Sequence, residues 1–209
     1  MGFGPGGPGA IYKIDLTSET GTSAPQIFYT FPAAEVGGTN IHDALQANPS
    51  QTSTDNSAFD KVGKTSLSGL EVSDDDRELY VINLFNKKLY KFDLTAGTGT
   101  TPVSYDILAP VVTPTPPGGL TWRPFALKYY RGKIYVGITV TNENSYSNTT
   151  TYTSTSPNDK GNNQGMQGIV YAFDGSNWEQ VLSFPLNYKK QPTSSDLANA
   201  SNVQRGHTW

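Results

Sequence analysis

The chain has 209 residues, a formal net charge of −3, only 16% charged residues and no cysteine. Its longest basic runs are the pairs Lys87-Lys88 and Lys189-Lys190, which argues against nucleic acid or an anionic membrane as a partner; no apolar run is long enough to span a bilayer, and the missing cysteine removes disulfides, thiolate metal ligands and cysteine nucleophiles. With 21 Gly and 14 Pro, and with polarity carried by Ser, Thr and Asn, the composition points to a turn-rich all-β protein, because these residues punctuate strands and break helices.

Taken in chain order, residues 1–9 read as a flexible Gly/Pro-rich lead-in. They match G-x-G-x-x-G through Gly2, Gly4 and Gly7, but a dinucleotide site needs a strand before and a helix after, and Pro5 and Pro8 interrupt the stretch. Neither the basic nor the apolar region of a secretory signal is present in it. The first strand pattern is Ala10-Ile11-Tyr12-Lys13-Ile14-Asp15, followed by a second at Gln26-Ile27-Phe28-Tyr29-Thr30-Phe31. The first pattern returns as Leu89-Tyr90-Lys91-Phe92-Asp93 and as Ile169-Val170-Tyr171-Ala172-Phe173-Asp174, at intervals of about 80 residues. Alternation within each copy marks a strand, and the closing Asp suits a turn in which its carboxylate accepts a local N–H.

The flanks repeat too. Gly69-Leu70-Glu71-Val72-Ser73 and Leu79-Tyr80-Val81-Ile82-Asn83 precede the second copy; Arg123-Pro124-Phe125-Ala126-Leu127-Lys128 and Lys133-Ile134-Tyr135-Val136-Gly137-Ile138 precede the third. Val103 to Leu108 and Gln180 to Phe184 follow them. Four antiparallel strands, a to d, make one propeller blade. The expected fold is therefore all-β: a partial β-propeller of about two and a half four-stranded antiparallel blades with long loops on one face. Its parts are a half blade at 10–32, an insertion loop at 33–68, blades at 69–108 and 124–186, and a tail at 187–209. Helix is expected only as short loop turns, with Asn40 to Gln46 the one stretch singled out. Since rings close with about four to eight blades, the chain is expected to be a fragment of a longer protein or to associate with other chains.

Several motifs bear on chemistry. Asp74-Asp75-Asp76 offers oxygen ligands for calcium, but its place between strands a and b reads as a tight turn. His42 and His207 lack the paired spacing of a zinc site. No G-x-S-x-G elbow occurs, and Glu71 is the one acidic residue identified on a strand a. Trp122, Trp178 and Trp209, with Tyr129, Tyr130 and Tyr188, could stack on carbohydrate, although aromatics in sheets more often pack; Trp122 and Trp209 fall outside the predicted strands. Asn148-Thr149-Thr150 and Asn199-Ala200-Ser201 match a glycosylation sequon, read as chance in so Asn-, Ser- and Thr-rich a chain. No metal or cofactor is expected.

The runs Phe59 to Lys64, Leu70 to Asp76 and Leu79 to Lys91, together with Arg123 to Lys128, Gly132 to Gly137 and Val181 to Tyr188, resemble the N-terminal propeller-like region of large bacterial surface proteins that carry SdrD B-like or similar adhesin repeats. The resemblance spans roughly residues 10–209 and implies an extracellular or bacterial cell-surface location with adhesive or structural duty; it carries no catalytic residue. The functional expectation is an extracellular binding or structural module, with a lactonase-like propeller hydrolase as the alternative.

Loop lengths suggest where binding occurs. The a–b turns are tight, whereas the d–a connections at Pro32 to Ser68 and Ala109 to Trp122, and the b–c loop from Val140 to Gln167, are long. Long loops in compact domains serve a function or are disordered. In the first of them Ile41, Leu45, Phe59 and Val62 are apolar anchors for the polar groups around them. The candidate contact residues are His42, Asp43, Asp55, Asp60, Trp122, Arg123 and Trp209, facing a protein or glycan ligand, while self-association or a partner chain completes the propeller.

Overall fold

The computed structural model describes residues 6–14, 24–39, 61–96, 100–110, 120–141 and 166–186. Among them the protein is all-β, apart from one four-residue helix. A two-stranded antiparallel sheet joins β1 (Ala10–Lys13) to β2 (Gln26–Thr30). A second sheet is a meander of β3 (Leu67–Val72), β4 (Glu78–Asn83), β5 (Lys88–Asp93) and β6 (Val103–Asp106). A third has the order β10-β9-β8-β7, from β7 (Thr121–Tyr130), β8 (Lys133–Thr141), β9 (Gln167–Phe173) and β10 (Trp178–Pro185). The helix α1 is Ala33–Val36. The chain divides into two units, one holding β1 to β6 with Pro124–Ile134, the other Leu108–Arg123 and the residues from Tyr135 onward.

The turns follow from their sequences. Asp93 Oδ1 accepts from the Thr95 N–H and hydroxyl, and Asp174 Oδ1 from the N–H groups of Ser176 and Asn177, so the closing Asp of two repeat copies folds its own turn. Between β3 and β4, Ser73 and Glu78 close the hairpin through Ser73 N–H to Glu78 O at 2.9 Å, while Asp75 accepts from the Ser73 hydroxyl and the Arg77 N–H. The run Asp74-Asp75-Asp76 is thus the tight turn its position suggested. Arg131 and Gly132 both take positive φ, as a two-residue hairpin that follows the strand twist requires.

In the second sheet the central strand β4 is buried on both faces within its unit, which explains why its residues Leu79 to Ile82 are apolar without a break. One face carries Leu79, Val81, Tyr90 and Phe92 and packs with Ile11, Phe28, Tyr29, Phe31 and Val36. Five edge-on ring pairs cement it, among them Tyr29 with Phe92 at 4.9 Å and Phe31 with Tyr90 at 4.7 Å. Glu71, Tyr80 and Lys91 alternate onto the opposite face. There Tyr80 meets Tyr129 at 5.9 Å, the Glu71 carboxylate accepts from Lys128 Nζ and the Tyr129 N–H, and the Ser68 hydroxyl donates to Pro124 O. A Cβ at Gly69 would stand 2.7 Å from that of Leu127, so glycine sets the closeness of β3 to this stretch. β1–β2 and the Pro124–Tyr130 part of β7 therefore cover the second sheet from opposite sides.

The repeat extends into irregularities. Phe28 is bulged out of the β1–β2 register beside Tyr12, and Val181 out of the β9–β10 register beside Tyr171, at the same step past the repeated tyrosine.

The structure moves several boundaries. Trp122, expected outside a strand, lies in β7, as does Arg123. Proline removes a ladder donor, but β7 is an edge strand, where that loss is tolerated and the strand runs on through Pro124. β10 starts at Trp178, ahead of the strand expected from Gln180, and the Trp178 ring stacks on Phe173 at 4.5 Å. The 33–68 stretch is not all loop, since it holds α1 and the first residues of β3, and the expected helical turn at 40–46 lies outside the described residues. Of the lead-in, residues 6–9 are described: Pro8 and Gly9 are buried, the Ser66 hydroxyl donates to Pro8 O, and the Phe31 N–H donates to Gly9 O.

Candidate functional site

The two ends of the second sheet differ. At one end the β3–β4 turn meets the connection that leaves β5, with the Leu94 N–H donating to Arg77 O at 2.8 Å. At the other, the β4–β5 turn from Leu84 to Lys87 meets the segment that leaves β2. This second end joins a b–c turn to a d–a connection and holds the candidate site.

A polar lock joins them. The side chain of Asn83 is fully buried; its amide donates to Glu35 O at 3.0 Å, and its oxygen accepts from the N–H groups of Phe85 and Asn86. The Tyr90 hydroxyl donates to Glu35 Oε2 at 2.9 Å and accepts from the Asn86 amide at 2.7 Å. Burial first, and then the bond to Glu35, push the Tyr90 hydroxyl up to about 12, so it remains a neutral donor at ordinary pH. Asn86 Oδ1 accepts from the Lys88 N–H, and Lys87 adopts φ 60°, so both limbs of the turn are fixed.

The connection from 37 to 65 opens and closes at this lock. The Ser66 N–H donates to Val36 O at 2.9 Å, and the Leu84 N–H donates to Ser66 O at 2.9 Å, which ties the base of the loop to the turn. Gly37 ends α1 with φ 88°, and a Cβ there would lie 2.6 Å from the Thr65 methyl and 3.0 Å from the Phe85 ring. Only glycine meets both demands. Phe85 packs one edge on Gly37 and still exposes 45% of its surface. Phe125 lies beside Gly63 and is exposed as well, as is Val62. The loop base thus carries three exposed apolar side chains on a hydrogen-bonded frame.

Of the residues singled out from sequence, His42, Asp43, Asp55, Asp60 and Trp209 lie outside the described residues, as do the anchors Ile41, Leu45 and Phe59. The first four belong to the connection whose base has just been described. Trp122 and Arg123 are half-buried in β7. Glu71 is engaged by Lys128, whose hydrogen bond holds its carboxyl below the usual range. Sequence reasoning missed Phe85, Asn86, Glu35 and Tyr90 as a group. Phe85 carried a signal, as an apolar residue within a turn between two strands, but its neighbours come from a segment some fifty positions earlier. Among the described residues no group of three or more His, Asp or Glu side chains is placed to hold a metal, and no helix is long and apolar enough to cross a membrane.

No protein-family model, curated protein or solved structure matches the chain.

Proposed function

We propose that the protein is an extracellular binding or structural module of a bacterial cell-surface protein, built as consecutive blades of a β-propeller and contacting a protein or glycan ligand at the end where the 37–65 connection is rooted. The observation that carries the binding reading is the loop base. The turn at Phe85 is over-determined by Asn83 and Asn86, yet it displays an aromatic ring to solvent, and a rigid exposed aromatic beside a long connection is what a binding surface needs. The propeller reading is supported by the covering of both faces of the second sheet by strands of its neighbours in sequence. The surface location rests on the resemblance of the repeat runs.

The test is a glycan array and a pull-down from extracellular matrix extracts with the whole chain, run beside a broad esterase and lactonase screen. Binding is expected, and it should fall at least tenfold with Phe85→Ala or when residues 40–60 are replaced by a short Gly/Ser linker. Replacing Asp74 to Asp76 at the opposite end should leave it unchanged. Turnover without binding, or binding that depends on the Asp74 to Asp76 turn alone, overturns the assignment.

A further inference from the structure

The interface between the first two sheets has a direction. On β1–β2, the side chains that grip the second sheet are Ile11, Phe28 and Tyr29. On the second sheet, the repeated tyrosine position in the same cluster is Tyr90, buried against Phe31. Each sheet of the repeat therefore has a gripping face and a receiving face, and the repeat identifies their equivalents elsewhere. The register and the shared bulge map Phe28 onto Val181 and Tyr29 onto Leu182. The repeated tyrosine maps Tyr90 onto Tyr12, which pairs with Ile27.

Among the described residues both mapped surfaces carry exposed side chains. Val181 and Leu182 are 46% and 51% exposed, whereas their equivalents Phe28 and Tyr29 are half-buried against Phe92. Ile27 and Tyr12 are 46% and 37% exposed, whereas Tyr90 is buried. Gly6 lies against Tyr12 and Ile27, its N–H donating to the Tyr12 hydroxyl, and both side chains keep the exposures just given. The described residues thus present one unfilled gripping face, on β10, and one unfilled receiving face, on β1–β2.

We propose that these surfaces bind each other between copies: the gripping face of β9–β10 on one chain, led by Val181 and Leu182, docks on the receiving face of β1–β2 of a second chain, led by Tyr12 and Ile27. This rests on the propeller reading and names the partner that covers its open faces. It continues an interface already present within the chain, with apolar meeting apolar as in the contact of the first sheet with the second. Because the two faces differ, the contact is heterologous and propagates head to tail until a ring closes or a limit of strain is reached.

The test uses the complete chain in sedimentation velocity over a wide concentration range, with Leu182→Asp and Ile27→Asp as the variants. A buried, unpaired carboxylate should weaken association by about a hundredfold or more in each variant alone. Each variant keeps the face the other has lost, so an equimolar mixture should form a 1:1 dimer while either one alone stays monomeric. Circular dichroism and thermal melting confirm folding, with Leu182→Lys and Ile27→Lys as replacements for a variant that fails it. A wild-type chain that stays monomeric throughout, association indifferent to both substitutions, or variants that do not complement each other overturns the proposal. The ligand arrays and the Phe85→Ala variant report on the binding function separately, so failure of either reading is distinguishable.

Discussion

The ring of Tyr90 meets that of Phe31 edge-on, with centroids 4.7 Å apart and planes at 71°. Its hydroxyl also reaches Glu35 on the segment that follows Phe31. One residue thereby fastens the first sheet to the second and sets the base of the long connection, so fold stability and site geometry share a side chain.

That sharing separates two variants. Phe92→Ala removes a fully buried ring that touches Phe28, Tyr29 and Phe31, and should cost about 3–5 kcal/mol in urea unfolding. Tyr90→Phe keeps the ring and deletes two hydrogen bonds; the expected cost is about 1–3 kcal/mol. Equal costs for the two would contradict the packing described.

Asn83 is the sharper case of a buried polar group. Asn83→Leu keeps the branched outline of the side chain but strands Glu35 O and the N–H groups of Phe85 and Asn86. A loss of about 2–4 kcal/mol is expected, with faster amide exchange at Phe85 and Asn86. Exchange at the β3–β4 turn should stay as it was, because Ser73, Asp75 and Glu78 close it independently.

The strands were legible because period-2 alternation and the tyrosine repeat are local signals, and the Asp-closed turns were legible for the same reason. Burial of Asn83 was not, since it ends an apolar run and so reads as the polar edge of a strand. Its role depends on a carbonyl 48 positions away. The extent of β7 was hidden by Pro124, whose cost vanishes only once the strand is known to lie at a sheet edge. At the candidate site, Phe85 alone was readable; Glu35, Asn86 and Tyr90 join it only through tertiary packing.

Acid should weaken the second sheet in a definite window. Burial pushes the Glu78 carboxyl up, but hydrogen bonds from Lys91 at 2.8 Å and Tyr80 at 2.6 Å outweigh it and hold the group below its ordinary value of 4.5. A carboxyl depressed on folding contributes stability that is present above the unfolded value and is lost as pH falls through the folded one. Glu71, Asp75 and Asp93 are depressed as well and act in the same direction. Glu78→Gln should therefore destabilise at about pH 7, and its difference from wild type should shrink towards zero in urea titrations carried below the ordinary carboxyl range. A difference that stayed constant with pH would show that the loss is one of packing.

Alkali acts through the tyrosines with the opposite sign. Burial, then the bond to Glu35, raise Tyr90 from 10.0 to about 12, and burial, then the bond to Glu78, raise Tyr80 further still. A hydroxyl raised on folding contributes stability that is complete below its unfolded value and is lost as pH climbs through the folded one. Stability should thus hold up to about pH 10 and fall between about pH 10 and 12. Lys91, raised mainly by its hydrogen bond to Glu78, adds a loss in the same direction above its ordinary value of 10.5. The double variant Tyr80→Phe with Tyr90→Phe should start less stable and decline less steeply, keeping the Lys91 part and that of Tyr29, Tyr129 and Tyr171, whose hydroxyls burial raises as well. Urea midpoints measured at half-unit steps across that range, beside the ultraviolet absorbance of tyrosinate, decide it. Tyrosine ionisation completed near pH 10 in the folded protein would show that neither hydroxyl is held as described.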